Sequence, residues 1–125
     1  MLEDKNAVPM LAVKNLDRSR RFYEHTLGLH ITPASEPEMF VCQSGGTQFI
    51  VYTSDYAGTN KANALFWDVG EKLEETVNTL RKKDVVFEHY KLPNTTLKGD
   101  VHVAGTMKLA WFKDPDGNIL HIVGR

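Results

Sequence analysis

Val13-Lys-Asn-Leu-Asp-Arg-Ser-Arg-Arg-Phe-Tyr-Glu-His-Thr-Leu-Gly-Leu29 is the stretch on which the fold turns. It joins the end of an apolar strand to a helix and a stop signal. Asn15-Leu-Asp17 offers the helix start, with Asp17 as the expected N-cap, because a short polar side chain accepts from the first unpaired amides. Phe22, Tyr23 and Leu27 then recur at helical spacing. Gly28 follows as the left-handed stop. Upstream, residues 8–14 read as a strand, with Pro9 near its start where a missing N–H is tolerated. Downstream, residues 29–32, 39–43 and 47–53 read as strands, and Gly45-Gly46 fits a tight hairpin turn.

The same order then returns. Residues 54–62 are polar and read as a linker. A strand over about 63–69 precedes a helix over about 71–83, whose buried stripe is Leu73, Val77 and Leu80. Glu71, Glu74 and Glu75 open that helix and Arg81, Lys82 and Lys83 close it, the charge order its dipole favours. Residues 85–90 read as a strand and 93–105 as a long irregular loop. Strands at about 106–113 and 118–123 flank the turn Asp114-Pro-Asp-Gly-Asn118. Val13 and Val69 end the first strand of each half, 56 residues apart, which marks an internal duplication. A ferredoxin-like sandwich, the rival arrangement, has fewer strands after each helix.

Composition narrows the function classes. The chain has 125 residues, a single-domain length, and 15 Lys+Arg against 16 Asp+Glu. That balance argues against a general nucleic-acid or anionic-membrane binder. No apolar run reaches the roughly 20 residues of a membrane span, and the charged N-terminus lacks a signal-peptide core. Cys42 is the one cysteine, so no internal disulfide forms, and a buried inert thiol in a cytoplasmic protein is expected.

Two stretches carry a resemblance. Val13 to Leu29, with its Phe-Tyr-x-x-x-Leu-Gly-Leu, resembles the strand–helix opening of the vicinal oxygen chelate superfamily. Trp111-Phe-Lys-Asp-Pro-Asp-Gly-Asn-Ile-Leu-His-Ile-Val123 resembles its closing strand–turn–strand. The superfamily includes glyoxalase I, extradiol dioxygenases, fosfomycin-resistance enzymes and bleomycin-binding proteins. The resemblance implies an α+β fold of two tandem βαβββ modules, about 7–54 and 62–124, within one domain. Their curved sheets would form an eight-stranded cup with the helices outside. It also implies a homodimer.

Metal-dependent members resemble one another in four ligand positions. Here those positions are matched to Val8, Val51, Ala64 and His121. Valine and alanine have no donor atoms, so no metal and no cofactor are expected at the cup centre. Shifting the Val51 match by one, to Ile50 or Tyr52, supplies no metal site either. His25, His30, His89 and His102 show no His-x-x-x-His spacing and read as surface or structural residues.

Strand alternation groups the expected cup lining with those positions. It comprises Val8, Met10, Ala12, Phe49, Val51, Thr53, Ala64, Phe66, Asp68, Ile119, His121 and Val123, with Met107, Leu109 and Trp111 from the strand before the turn. Ligand contact is expected of Val8, Met10, Phe49, Val51, Ala64, Phe66, Asp68, Leu109, Trp111 and His121. An apolar wall with a few polar groups is the character of a small-molecule pocket. The expected function is metal-free binding of a small apolar or aromatic molecule, as in bleomycin-binding relatives. The alternative is a metal-independent lyase, isomerase or hydrolase using His121 as acid or base. Metal-dependent glyoxalase or dioxygenase chemistry ranks below both, because the ligands are missing.

Overall fold

The structure, a computed structural model, describes all 125 residues. The chain divides into Met1–Gly58 and Thr59–Arg125. No helix is long and apolar enough to cross a membrane.

The first unit runs β1 (Met10–Val13), α1 (Leu16–Arg21), a π-helical turn (Phe22–Thr26), β2 (His30–Pro33), β3 (Met39–Ser44) and β4 (Thr47–Thr53). Asn15, not Asp17, caps α1: its side chain accepts from the Arg18 backbone N–H at 3.0 Å. The turn widens after Arg21, where the Leu27 N–H reaches back to the Phe22 carbonyl. Gly28, at φ 75°, ends it as its lack of a side chain permits. The sheet order is β1-β4-β3-β2, with β1 and β4 parallel. One face packs Leu11, Val13, Phe40, Cys42, Phe49 and Val51 with Tyr23, whose ring meets Phe49 edge-on at 5.8 Å.

The second unit runs β5 (Asn63–Gly70), α2 (Leu73–Lys82), β6 (Phe87–Glu88), β7 (Thr96–Lys98), β8 (Val101–Ala104), β9 (Met107–Lys113) and β10 (Ile119–Gly124). Its sheet order is β5-β10-β9-β8-β7, and β6 also pairs with β9. Two expectations change here. The strand foreseen over 85–90 is only two residues long, and the loop foreseen over 93–105 contains the β7–β8 hairpin. The chain therefore has ten strands rather than eight. Each of the two added strands is too short to show an apolar alternation of its own.

Leu73, Val77 and Leu80 of α2 are buried, as are Phe112, Leu120 and Ile122 of β9 and β10. Gly124 sits where β10 passes closest to β5 and α2. A Cβ there would stand 2.3 Å from the Gly70 carbonyl oxygen and 2.8 Å from the Leu73 Cβ.

Candidate functional site

β10 lies between β5 and β9, so His121 is opposite Phe66 on one side and Trp111 on the other. Residues opposite each other in a ladder point to the same face. One register step along, Val123 aligns Asp68 with Leu109, and the hairpin extends that row through His102 to Leu97. This face of the second unit is the candidate site.

Trp111 is its centre. The His121 imidazole stacks on the indole with centroids 4.2 Å apart and planes 8° from parallel. His102 and Tyr90 both meet the indole edge-on, at 5.0 Å and 5.4 Å. The indole N–H donates to Asn63 Oδ1 at 3.0 Å. So partnered, Trp111 is 7% exposed. Phe66 is the open ring of the face at 66%, and Met107 (49%) and Leu97 (45%) are open as well.

Hydrogen bonds assign the two imidazoles the same tautomer by opposite routes. His121 Nδ1 lies 3.0 Å from the Ala110 carbonyl oxygen. A carbonyl only accepts, so the proton sits on Nδ1 and Nε2 keeps a lone pair. Burial holds the His121 pKa below the ordinary histidine value; His102 pushes the same way and the Ala110 bond opposes. His121 is thus a neutral acceptor, or base, near pH 7. His102, 1% exposed, is held through its other nitrogen. Its Nε2 accepts the Tyr90 backbone N–H at 3.0 Å, which leaves the proton of the neutral ring on Nδ1.

The polar surroundings are charged but paired. Glu88 lies 3.3 Å from Lys113. Asp100 accepts from Arg81 Nε at 3.0 Å and Nη2 at 2.8 Å, and lies 2.7 Å from His89 Nε2. The His89 contact, with help from Arg81, holds the Asp100 carboxyl below its ordinary range. This clasp ties the end of α2 to the β7–β8 turn. The Tyr90 phenol is held above its ordinary pKa, first by burial and then by Glu88, with Lys113 opposing.

The first unit corrects three lining residues, Phe49, Val51 and Thr53. Leu11 is opposite Val51 in the parallel β1–β4 ladder, and both are buried. Phe49 and Val51 therefore belong to the face packed on the π-helical turn, not to the open one, and Thr53 follows their alternation. Ile50 and Tyr52 take the open face beside Met10 and Ala12. Met10 is 52% exposed. Val8 lines a polar groove of about 440 Å³ with Asn6, Ala7, Gln43, Gly46, Thr47 and Gln48. In the second unit, Ala64 is half-buried at the start of β5. Asp68 accepts from the Gly70 N–H at 3.0 Å and lies 3.8 Å from Arg125.

Sequence reasoning missed Asn63, Tyr90 and the placement of His102. The signal for His102 lay in Ala104-Gly-Thr-Met107, a hairpin turn with Gly105 at φ 61°. Read as a turn, it puts His102 opposite Leu109.

The Glyoxalase/Bleomycin resistance protein/Dioxygenase superfamily model matches residues 7–122. The chain belongs to that superfamily. The βαβββ order of the first unit, and the second unit's elaboration of it, are this superfamily's fold in this chain. Solved structures agree on the fold. Fosfomycin resistance protein FosX from Listeria monocytogenes superposes with TM-score 0.75 at 14% identity, covering 98% of this chain and 93% of that one. An integron cassette protein from the Halifax Harbour sewage outfall gives 0.70 at 18% identity, covering 97% and 99%. A hypothetical protein from S. aureus gives 0.68 at 20% identity, covering 98% and 99%. The Listeria FosX has also been solved in complex with Mn(II) and sulfate. No curated protein matches the sequence.

Proposed function

We propose that this superfamily member binds a small apolar or aromatic molecule on the open face of its second unit, without a resident metal. The observation that carries the reading is the contrast between two rings on that face. Trp111 is already packed by His121, Tyr90 and His102, whereas Phe66 is left 66% exposed beside them. A solvent-exposed phenylalanine next to a rigid aromatic wall and one acceptor nitrogen is a usual anchor for a flat apolar ligand. Trp111 is then the support of the wall and Phe66 the contact.

The donor set supports the metal-free part. The positions that resemble the ligands of metal-dependent members carry Val8, Ala64 and His121, and in the first unit's fourth strand the open face carries Ile50. No group of three His, Cys, Asp or Glu side chains could hold an ion. A divalent transition metal needs about three or four N, O or S ligands. The residues do not fit such an ion.

A second reading rests on the His121 tautomer. A neutral imidazole with its Nε2 lone pair uncommitted is equipped as a general base, which suits a metal-independent lyase, isomerase or hydrolase. A homodimer is part of the proposal too, supported by the exposed apolar residues Val8 and Met10 and by the open sheet edges at β1 and β5.

The test is a screen of apolar and aromatic fragments by thermal shift, followed by calorimetry and elemental analysis. The expected result is saturable binding that perturbs Phe66 and His121 resonances, in protein holding no stoichiometric metal. One Zn, Ni, Mn or Fe per chain, required for binding, overturns the reading. Sedimentation equilibrium showing only the monomer at tens of micromolar overturns the dimer.

A further inference from the structure

Two buried side-chain polar atoms in this protein lack a hydrogen-bond partner: the Tyr90 hydroxyl and His102 Nδ1. They belong to neighbouring rings, stacked at 6.4 Å and both edge-on to Trp111. Buried polar groups are nearly always paired, and leaving one unpaired costs about 1–3 kcal/mol. Here two adjacent ones are left together, at the wall of the site described above.

Their chemistry selects the missing partner. His102 Nε2 is committed as acceptor to the Tyr90 backbone, so Nδ1 offers an N–H. The Tyr90 hydroxyl offers an O–H. Two donors on adjacent rings suit an oxygen acceptor, which has two lone pairs to offer. The nearest charges, Glu88 and Lys113, are paired with each other, and Asp100 is paired with Arg81 and His89. The Lys113 ammonium that acts on the Tyr90 phenol already serves Glu88, so a neutral oxygen is the better fit than a buried carboxylate.

We infer that Tyr90 and His102 form a carbonyl-oxygen subsite beside Trp111, and that the ligand is an apolar or aromatic ketone, aldehyde or amide. The inference rests on the proposed binding reading and adds the polar group the ligand must carry. Both atoms are closed to solvent, so the oxygen reaches them when the Tyr90 ring swings aside while its backbone N–H stays on His102 Nε2.

The experiment compares acetophenone with ethylbenzene, which keeps the ring and lacks the oxygen, and with benzoate, which adds a charge. Calorimetric affinities are measured for the wild-type protein, Tyr90→Phe and His102→Gln. Glutamine retains an acceptor for the Tyr90 N–H and removes the Nδ1–H donor. The expected result is that the acetophenone-to-ethylbenzene affinity ratio falls about tenfold in each variant, the worth of one buried hydrogen bond. Tyr90→Phe also unfolds at the same or a higher temperature, because it removes an unpaired buried hydroxyl. If His102→Gln fails to fold, Tyr90→Phe alone decides. An unchanged ratio, with both neutral probes still bound, overturns the subsite and leaves the binding reading standing. Benzoate binding more tightly than acetophenone overturns the choice of a neutral carbonyl. If no probe binds at millimolar concentration, the subsite and the reading it rests on both fall.

Discussion

Phe66→Ala separates the binding face from the core. Fully burying a phenylalanine side chain is worth about 1.5–3 kcal/mol. The Phe66 ring is 66% exposed, so about two-thirds of that transfer, roughly 1–2 kcal/mol, remains for a ligand to realise. Truncation should therefore weaken binding of a flat apolar ligand about 5- to 30-fold. The same exposure limits the damage to folding, because exposed substitutions away from special features usually stay within about 0.5 kcal/mol. Trp111→Ala behaves oppositely. That ring is 7% exposed and holds a hydrogen bond to Asn63 and three aromatic contacts. Removing it should cost about 3–5 kcal/mol of stability, a large share of a small domain's total. The assay is calorimetric titration with ethylbenzene, paired with urea unfolding of each variant. If Phe66→Ala binds as tightly as wild type, or unfolds as early as Trp111→Ala, the assignment of Phe66 as contact and Trp111 as support is wrong.

Gly124→Ala should destabilise by about 2 kcal/mol or more, because its Cβ would meet the Gly70 carbonyl at 2.3 Å and both neighbours are main-chain or near it; a urea midpoint equal to wild type refutes the close approach. The depressed His121 pKa sets a pH dependence with a defined sign. The unfolded chain takes up the His121 proton near the ordinary value of 6.5, before the folded chain does, so this residue's contribution to stability is complete above that pH and declines as pH falls below it. His121→Gln should flatten that part of the curve, and an unchanged slope between wild type and variant refutes the assignment. Burial pushes the Cys42 thiol up to about 12, so a thiol reagent at pH 8 should modify it only at the rate of unfolding; rapid labelling of native protein refutes its placement in the core.

Much of this site was legible in the sequence for a local reason. β9 and β10 are joined by Asp114-Pro-Asp-Gly-Asn118, a turn whose residues set the register of the two strands. His121 opposite Trp111 follows from that turn, and alternation then carries Phe112, Leu120 and Ile122 to the α2 side. The helices were readable as well, from their apolar spacing and their stop signals. The N-cap was not, because Asn15 and Asp17 are equally able acceptors and only backbone geometry chooses between them.

The sequence by itself determined both helices and the strands outside 85–105, their duplicated order, and the pairing of His121 with Trp111. Only the tertiary structure decided the faces of β4, because β1 and β4 pair in parallel with no turn between them to set register. A slip of one residue there moves Val51 and Phe49 from the open face to the core. It also decided which ring is free. Alternation puts Phe66 and Trp111 on one face, but whether a neighbour covers a ring depends on packing across four segments distant in sequence. Asn63, Tyr90, His102 and His121 converge on Trp111 through ladders and a hairpin whose short strands carry no periodic signal, and that convergence leaves two donors buried without a partner.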